Sequence, residues 1–337
     1  MLEDCRIEAP ISVVMATYNG ANYIKEQMDS ILHQTIKPQE IVVVDDCSTD
    51  DTLEILKKYE QNIDYIHVYS NKNNLGFQKN FNKAICLSKC NFIALCDQDD
   101  IWTKEHLQVL YDLLIEEKKD LACGVSVKCD IKGNIISKPL YSNYKICNNQ
   151  INQFKSIILS NYVQGCTSMF RRSLIDLAEP FPNSKNVFHD YWLGLAAVIN
   201  TGISFTNRPI VYYRVHNGSI TNNQSPHFFN RLKRKLSNLL IPNHIESLNR
   251  TYETLCYAKK KYNLNIENTK ALDDAIKFFD GVINNKNWTF CVMFYIKNMH
   301  MITKNTSTFN AILTGIKWLF FCWQRQKINN RRLEGRK

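Results

Sequence analysis

Short apolar runs alternate with amphipathic segments over the first hundred residues. Four apolar runs predict strands: residues 11–16, 41–44, 65–69 and the run that ends at Cys96. Apolar positions at helical spacing predict three helices between them: residues 23–33, 51–59 and 78–87. The run at 41–44 consists only of β-branched residues, which is typical of a strand buried on both faces. Strand and helix in alternation predict an α/β fold with a wound, mostly parallel sheet.

The pattern becomes mixed after residue 100. Further strands are predicted at 121–128 and 135–137, and a β-hairpin by the apolar runs at 203–205 and 210–213. Three helices are predicted to begin near Thr103, Arg172 and Val187. The Asn-rich stretch 141–153 predicts a loop or lid, and everything beyond residue 225 has helical spacing.

Polar residues follow three of the predicted strands at the point where each ends. The first strand is followed by residues 17–20 (Thr-Tyr-Asn-Gly), the second by the acidic stretch 45–50, and the fourth by the acidic cluster 97–100. In a wound parallel sheet, ligands bind beyond the carboxyl ends of the strands. These three stretches therefore predict one ligand site at that edge.

The acidic cluster has three carboxylates within four positions: Asp97, Asp99 and Asp100. Like charges this close raise each other's pKa unless a cation lies between them. A divalent cation with oxygen ligands, itself holding a phosphate, suits such a cluster. The alternative is that Asp99 or Asp100 caps the helix that begins near Thr103. One aspartate suffices for a cap, so three favour the cation site.

Charge divides the 337 residues into two parts. Residues 226–337 carry 20 lysines and arginines against 7 aspartates and glutamates, whereas the first 225 residues are slightly acidic. Residues 228–240 predict a basic amphipathic helix, and the apolar run 311–323 is closed by basic residues. Both suit peripheral attachment to a membrane surface. The alternative is that they are ordinary helices packed on the first domain.

Cysteine usage and the N-terminus predict a cytoplasmic protein. The twelve cysteines form no C-x-x-C pair or zinc-ligand spacing, which favours a reducing compartment. Residues 1–10 carry acids where a signal peptide needs an apolar core, and no stretch has the roughly 18 apolar residues that a spanning helix needs. We therefore expect a protein at the inner face of the cell membrane.

Four segments together resemble a known family: residues 12–20, 42–52, 74–84 and 97–102. In this order and spacing they resemble the inverting family 2 glycosyltransferases of the GT-A fold, and are most similar to the bacterial rhamnosyltransferase-like members that build surface polysaccharide. The resemblance covers residues 8–220. It implies a GT-A domain at 1–225, which transfers a sugar from a nucleotide donor to a saccharide or lipid-linked acceptor, before a basic all-helical region at 226–337.

The resemblance also implies roles for single residues. The nucleotide-binding residues would be Thr17, Tyr18, Asn19, Asp46, Lys79 and Asp97. A divalent metal, Mg²⁺ or Mn²⁺, would be held by Asp99 and Asp97, with His216 of the Tyr213-Arg214-Val215-His216 segment as a further ligand, and either Arg214 or His216 could approach the diphosphate. The alternative for Lys79 is a solvent-exposed side chain. The alternative for His216 is a position in the core.

The resemblance implies Asp190 as the base that accepts the proton of the acceptor hydroxyl. The alternative for Asp190 is helix capping. Four residues are implied on the acceptor side: Gln164, Gly165, Cys166 and Trp192.

Two other classes of protein share some of these features. Sugar-nucleotide pyrophosphorylases share the sheet and use paired acids, but need a Gly-rich signature with basic residues near the start, which residues 16–20 lack. A basic scaffold or nucleic-acid binder would account for the C-terminal charge. It would not account for Asp46, Asp97, Asp99 and Asp190 together, so no nucleic-acid partner is expected.

Overall fold

A computed structural model of the protein describes residues 8–139, 149–216, 243–284, 286–302 and 315. In these residues the chain forms one eight-stranded sheet. The strands are β1 (Glu8–Thr17), β2 (Lys37–Asp45), β3 (Ile66–Ser70), β4 (Phe92–Asp97), β5 (Ile101–Trp102), β6 (Leu121–Cys129), β7 (Ser168–Arg171) and β8 (Ile203–Arg214).

Helices connect and follow the strands. The first seven are α1 (Ile24–Leu32), α2 (Thr52–Asn62), α3 (Phe77–Leu87), α4 (His106–Glu116), α5 (Gln150–Leu159), α6 (Ser173–Ala178) and α7 (His189–Asn200). A 3-10 turn spans Gly165–Thr167 before β7. Three more helices follow: α8 (Asn243–Lys261), α9 (Ile266–Asn284) and α10 (Trp288–Ile302).

The order of strands in the sheet brings the three polar stretches to one edge. The order is β3-β2-β1-β4-β7-β6-β8-β5, and β1 runs parallel to both β2 and β4. Thr17 of β1 pairs with Asp45 of β2, and Ala16 pairs with Asp97 of β4. The predicted α/β fold with a wound, mostly parallel sheet is confirmed, and its strand ends lie where the pattern required.

The core explains why these strands occupy the centre of the sheet. Val13 and Met15 of β1, Val43 of β2 and Ala94 of β4 are fully buried, because helices cover both faces of the parallel strands. Ile24, Met28 and Ile31 supply the buried stripe of α1 at helical spacing.

The predicted hairpin at 203–213 is wrong. One continuous strand, β8, runs from Ile203 to Arg214, parallel to β6. Asn207, Arg208 and Pro209 have turn-forming character in the sequence, but here they form an irregularity in the strand. Cys123 pairs with Phe205, while Val125 pairs with Pro209. A bulge absorbs such extra residues without reversing the chain.

Other boundaries also differ from the predictions. The predicted strand 135–137 is reduced to a single bridge between Cys129 and Ile135. The predicted loop 141–153 contains the start of α5, where the Asn149 side chain accepts a hydrogen bond from the Ile151 amide at 3.0 Å. Residues 140–148 lie outside the described residues. The capping role for Asp99 or Asp100 is wrong as well, since α4 begins at His106.

The described chain forms two compact units. The first comprises Met1–Ser142, Tyr162–Phe181 and Phe188–Asn223 and contains the whole sheet. The second comprises Asn143–Asn161, Pro182–Val187 and Gln224–Lys337, and so includes α5 as well as α8, α9 and α10. Inside the second unit, Phe278 and Phe279 are buried, and Lys155 of α5 pairs with Glu267 of α9 at 2.7 Å.

The two segments predicted to contact a membrane, 228–240 and 311–323, fall on residues that the structure leaves undescribed apart from residue 315. Among the described helices, none is both long and apolar enough to cross a bilayer.

Candidate active site

The loop after β1 turns sharply and is held by the loop after β2. Asn19 has a φ of +49°, a conformation that asparagine tolerates better than most residues. Its side-chain oxygen accepts a hydrogen bond from the Thr49 amide at 2.8 Å, and its own amide donates to the Ser48 hydroxyl at 2.9 Å. We call residues 17–20 the first loop. Tyr18 in it is 47% exposed, so its ring is free of the core.

The two acids after β2 organise loops from buried positions. Asp45 accepts hydrogen bonds from the Thr17 hydroxyl at 3.0 Å and the Ser48 amide at 2.9 Å. Asp46 accepts from the backbone amides of Leu75 and Gly76, both at 2.8 Å. Its carboxylate is also bonded to the Asn71 side chain, at 2.7 Å. Asp46 therefore anchors the segment 71–76 as well as lining the site.

The acidic loop, residues 97–100, follows β4 and concentrates negative charge. Burial, then the charges of Asp99 and Asp190, raise the pKa of Asp97 to about 7. Burial and the charges of Asp97 and Asp99 raise the pKa of Asp100 well above its usual range. Asp100 is fully buried, and one of its oxygens accepts a hydrogen bond from the Arg214 amide at 3.1 Å. A cation at this loop would relieve the repulsion.

The end of β8 supports the acidic loop. His216 Nε2 lies 2.7 Å from Asp99 Oδ2, and the His216 and Tyr23 rings are 4.5 Å apart between centroids. The buried guanidinium of Arg214 donates to the backbone carbonyls of Asp99 and Ile131, and forms an ion pair with Glu26. These contacts engage the Arg214 guanidinium, and Arg214 does not line the cavity. The expectation that either Arg214 or His216 could approach a diphosphate stays a prediction.

Asp190 lies in the first turn of α7, facing the cavity. Its carboxylate accepts a hydrogen bond from the Tyr191 amide at 2.6 Å. The neighbouring His189 is buried against Phe81, with ring centroids 4.4 Å apart. Burial lowers the pKa of His189 to about 4, so the imidazole is neutral at pH 7.

One cavity of about 700 Å³ joins these segments. This volume lies within the range of small-molecule sites, about 300–1,000 Å³. Of the residues predicted from the sequence, nine line the cavity: Thr17, Tyr18, Asn19, Asp46, Asp97, Asp99, Gly165, Asp190 and His216. The structure thus brings residues from 17 to 216 into one site.

Four predicted site residues do not line the cavity: Lys79, Gln164, Cys166 and Trp192. Trp192 is 1% exposed, and its indole N–H donates to the Ala178 carbonyl in the core at 2.8 Å. Gln164 accepts a hydrogen bond from Ser126, and Cys166 is buried beneath Asp97 and Asp100. Lys79 is exposed to solvent. The roles given to all four residues stay predictions.

The sequence reasoning missed several cavity residues. Phe77 and Phe188 form an aromatic wall with ring centroids 5.2 Å apart, edge to face, and Tyr23 and Asn74 also line the cavity. Gln98, between Asp97 and Asp99, has no role in the sequence-based prediction, although its side chain bonds to the first loop. A polar residue fixed between two functional acids was the one signal available for it.

The residues present suit a divalent cation. Asp97 and Asp99 offer carboxylate oxygens at the cavity, and His216 offers a ring nitrogen beside Asp99. Below them, a ligand atom from each of Asp97, Asp100 and Cys166 lies within 4.8 Å of the others, and one oxygen of Asp100 has no hydrogen-bond partner among the described residues. Oxygen ligands with one nitrogen suit Mg²⁺ or Mn²⁺.

The family follows from comparison with known proteins. Residues 12–178 match the family model of Glycosyl transferase family 2, a span that contains the first loop, Asp46 and the acidic loop. These residues form a family 2 glycosyltransferase domain. The matched span ends before Asp190 and His216, so those two positions rest on geometry.

Among relatives, the glycosyltransferase domain is similar to the putative teichuronic acid biosynthesis glycosyltransferase TuaG of Bacillus subtilis. The identity is 36% over 106 residues, which cover 32% of this chain and 42% of TuaG. The chain thus spans less than half the length of that relative.

Solved structures share the fold. TarS of S. aureus, solved in complex with UDP-GlcNAc, is 22% identical with a TM-score of 0.55, and the match covers 94% of this chain and 92% of that one. The mannosyltransferase PcManGT of Pyrobaculum calidifontis, solved with GDP-Man and Mn²⁺, is 14% identical with a TM-score of 0.55 and covers 94% of this chain and 86% of that one. At these identities the likeness is one of fold.

Proposed function

We propose that the protein is an inverting, cation-dependent glycosyltransferase that moves a sugar from a nucleoside diphosphate to an acceptor hydroxyl. The observation that carries this proposal is the cavity itself. It unites the first loop, Asp46 and the acidic loop, which lie in the span that matches Glycosyl transferase family 2, with Asp190, which lies beyond that span.

The nucleoside end of the donor would bind at the first loop and Asp46. Tyr18 offers an exposed ring on which a base can stack, and Thr17 and Asn19 border the same part of the cavity. UDP-GlcNAc and GDP-Man bind to proteins of this fold. We therefore expect a nucleoside diphosphate sugar here, and the base and sugar are the variables to test.

The diphosphate end would bind at the acidic loop with Mg²⁺ or Mn²⁺ held by Asp97, Asp99 and His216. A bound divalent cation supplies Lewis-acid stabilisation of the charge that develops on the departing diphosphate. The two carboxylates are the reason why a cation is needed, because without one they would repel the phosphates.

Asp190 would be the base. Its carboxylate lies on the cavity wall together with Asp97, near enough that its charge raises the pKa of Asp97. The acceptor oxygen would bond to the anomeric carbon as the bond from that carbon to the diphosphate oxygen breaks, and the hydroxyl proton would pass to Asp190. One direct displacement inverts the anomeric centre and releases a nucleoside diphosphate.

We propose a saccharide or lipid-linked acceptor in the synthesis of cell-surface polysaccharide, reached at the inner face of the membrane. The basic composition of residues 226–337 supports attraction to anionic lipid, and TuaG is named for teichuronic acid biosynthesis. Flotation of the full chain with vesicles containing phosphatidylglycerol should fall steeply in high salt, and binding only to neutral vesicles would contradict this.

A ligand panel tests the donor proposal. The melting temperature of the wild-type chain is measured with Mn²⁺ and a series of UDP-, GDP-, dTDP- and CDP-sugars, since a ligand that binds the folded state raises it. We expect a shift with one nucleotide class that is lost on adding a chelator and lost in Asp99→Asn. The matched control is Glu54→Gln, a surface carboxylate paired with Lys58 on α2. No shift with any donor would contradict the proposal.

A further inference from the structure

The side chain of Gln98 holds the first loop against the acidic loop. Its Nε2 donates to the Tyr18 carbonyl at 3.0 Å, and its Oε1 accepts from the Tyr18 amide at 2.9 Å. One side-chain amide thus satisfies both backbone groups of a single residue, as a neighbouring strand would. Gln98 lies between Asp97 and Asp99, so this pair of bonds ties the two halves of the site together.

Gly20 provides the space for this contact. A Cβ atom at Gly20 would lie 2.3 Å from Gln98 Oε1 and 2.6 Å from its Cδ. The backbone of Gly20 has little room to retreat, because its amide donates to the Thr52 hydroxyl at 2.8 Å and its carbonyl accepts from Tyr23 at 2.9 Å. A side chain at position 20 must therefore displace the Gln98 amide.

We propose that Gln98 is a positioning residue that fixes the first loop on the acidic loop, so that the nucleoside and diphosphate parts of the donor site keep one spacing. The ligand in this inference rests on the proposed function. A nucleoside diphosphate has a fixed length between base and phosphates, and a loop free to shift would pay an ordering cost at each binding event.

Three variants separate the contact from other effects. Gln98→Met keeps the length of the side chain and removes both hydrogen bonds. Gln98→Glu keeps an acceptor for the Tyr18 amide but sets a carboxylate against the Tyr18 carbonyl. Gly20→Ala displaces the Gln98 side-chain amide by placing a methyl group at position 20. Because Gln98→Met and Gly20→Ala break the same contact, the double variant should be no worse than the worse single one, a non-additive result.

Gln34 offers a matched control. Its amide also bridges two segments, since Nε2 donates to the Thr103 carbonyl at 2.8 Å and Oε1 accepts from the Leu107 amide at 2.9 Å. Gln34 is buried and does not line the cavity. Gln34→Met should therefore lower the melting temperature without changing the first loop or nucleotide binding.

The test combines residue-resolved hydrogen exchange on the full chain with calorimetric titration of UDP, GDP, dTDP and CDP in the presence of Mn²⁺. In Gln98→Met and Gly20→Ala, we expect the Tyr18 amide to exchange roughly tenfold faster, because its acceptor is gone. The amides of Asn19 and Gly20 should change less, since their hydroxyl acceptors remain. The nucleotide that binds the wild type should bind these variants about tenfold more weakly, and Gln34→Met normally.

Unchanged exchange of the Tyr18 amide in Gln98→Met would overturn the proposed effect of Gln98 on the first loop, whether or not a nucleotide binds. Faster exchange with unchanged nucleotide affinity would overturn its positioning role while leaving the proposed function intact. If the wild type binds none of these four nucleotides, both the positioning role and the proposed donor class fail. An additive double variant would also overturn the inference.

Discussion

His216 Nε2 lies 2.7 Å from Asp99 Oδ2, although the two residues are 117 positions apart. The contact joins the end of β8 to the acidic loop. Two residues earlier, the amide and guanidinium of Arg214 bond to Asp100 and to the carbonyl of Asp99. The acidic loop is therefore held from two sides by one short segment of chain.

The contact between His216 and Asp99 predicts that His216→Ala binds metal more weakly. Loss of the imidazole removes a candidate ligand or, at the least, the group that orients Asp99. Loss of such a partner typically costs 10- to 100-fold in metal affinity. Titration of Mn²⁺ followed by electron paramagnetic resonance, with nucleoside diphosphate present, should show that loss. His33→Ala, at an exposed position beyond α1, is the control, and equal affinity in His216→Ala and the control would contradict the assignment.

Asp46→Asn tests whether Asp46 acts through the 71–76 segment as well as on the ligand. An amide N–H₂ would oppose the N–H of Leu75 or Gly76, and such an unsatisfied buried donor costs about 1–3 kcal/mol. We expect faster exchange of whichever of these two amides faces the N–H₂ group, and weaker nucleotide binding.

Asp130→Asn is the control for this prediction, since Asp130 accepts from the Lys132 and Asn134 amides in a turn outside the cavity lining. It should loosen its own turn and leave nucleotide affinity unchanged. Unaltered exchange at Leu75 and Gly76 in Asp46→Asn would show that Asp46 acts on the ligand alone.

Cys47 predicts a gain of stability. Its φ of +64° lies in the left-handed region, where a side chain costs roughly 1–2 kcal/mol that glycine avoids. Part of that gain is offset by the greater freedom of glycine in the unfolded chain, so Cys47→Gly should raise the free energy of unfolding by up to about 1 kcal/mol. Cys86→Gly, inside α3, should instead lower it by about 0.5–1 kcal/mol. Urea denaturation that ranks the two variants the other way would refute this.

The buried His106 predicts a pH dependence of stability. Burial lowers the pKa of this histidine from 6.5 to about 3, while its ring stacks on Trp102 at 3.8 Å between centroids. At pH values between these two pKa values, the unfolded chain binds one proton more than the folded chain. The stability contributed by the neutral His106 is therefore lost as the pH falls. His106→Phe keeps a ring against Trp102 and removes the titration.

The measurement for His106 is the free energy of unfolding of both proteins from pH 7 to pH 5. The wild type should lose about 2 kcal/mol relative to His106→Phe over that range, since one proton changes stability by about 1.4 kcal/mol per pH unit. A constant difference between the two proteins would refute a neutral, buried His106.

The central sheet could be predicted because each strand carries its own signal. The β-branched run at 41–44 and the apolar runs around Val13 and Ala94 specify buried parallel strands without reference to the rest of the chain. β5 and β7 could not be found in this way, because two to four residues show too little periodicity. Residues 207–209 form a bulge instead of a turn because pairing along β6, a distant element, outweighs local turn preference.

The candidate site also has features that the sequence predicts and features that it does not. Acids at strand ends are visible in the sequence, because topology sends the carboxyl ends of parallel strands to one edge. Whether a side chain faces the cavity depends on tertiary packing, which the local sequence pattern does not determine. Trp192 and Asp190 are two positions apart on α7, yet one is in the core and the other on the cavity wall.

The most direct test of the central claim is a single-turnover measurement on Asp190→Asn with the donor that shifts the wild-type melting temperature. The amide keeps the size of the carboxylate but cannot take up the acceptor's proton. We predict that sugar transfer slows by 10²- to 10⁴-fold while donor affinity changes little, and that the wild-type product has the inverted anomeric configuration by NMR. Transfer by Asp190→Asn at the wild-type rate, or retention of configuration in the wild-type product, would contradict the account.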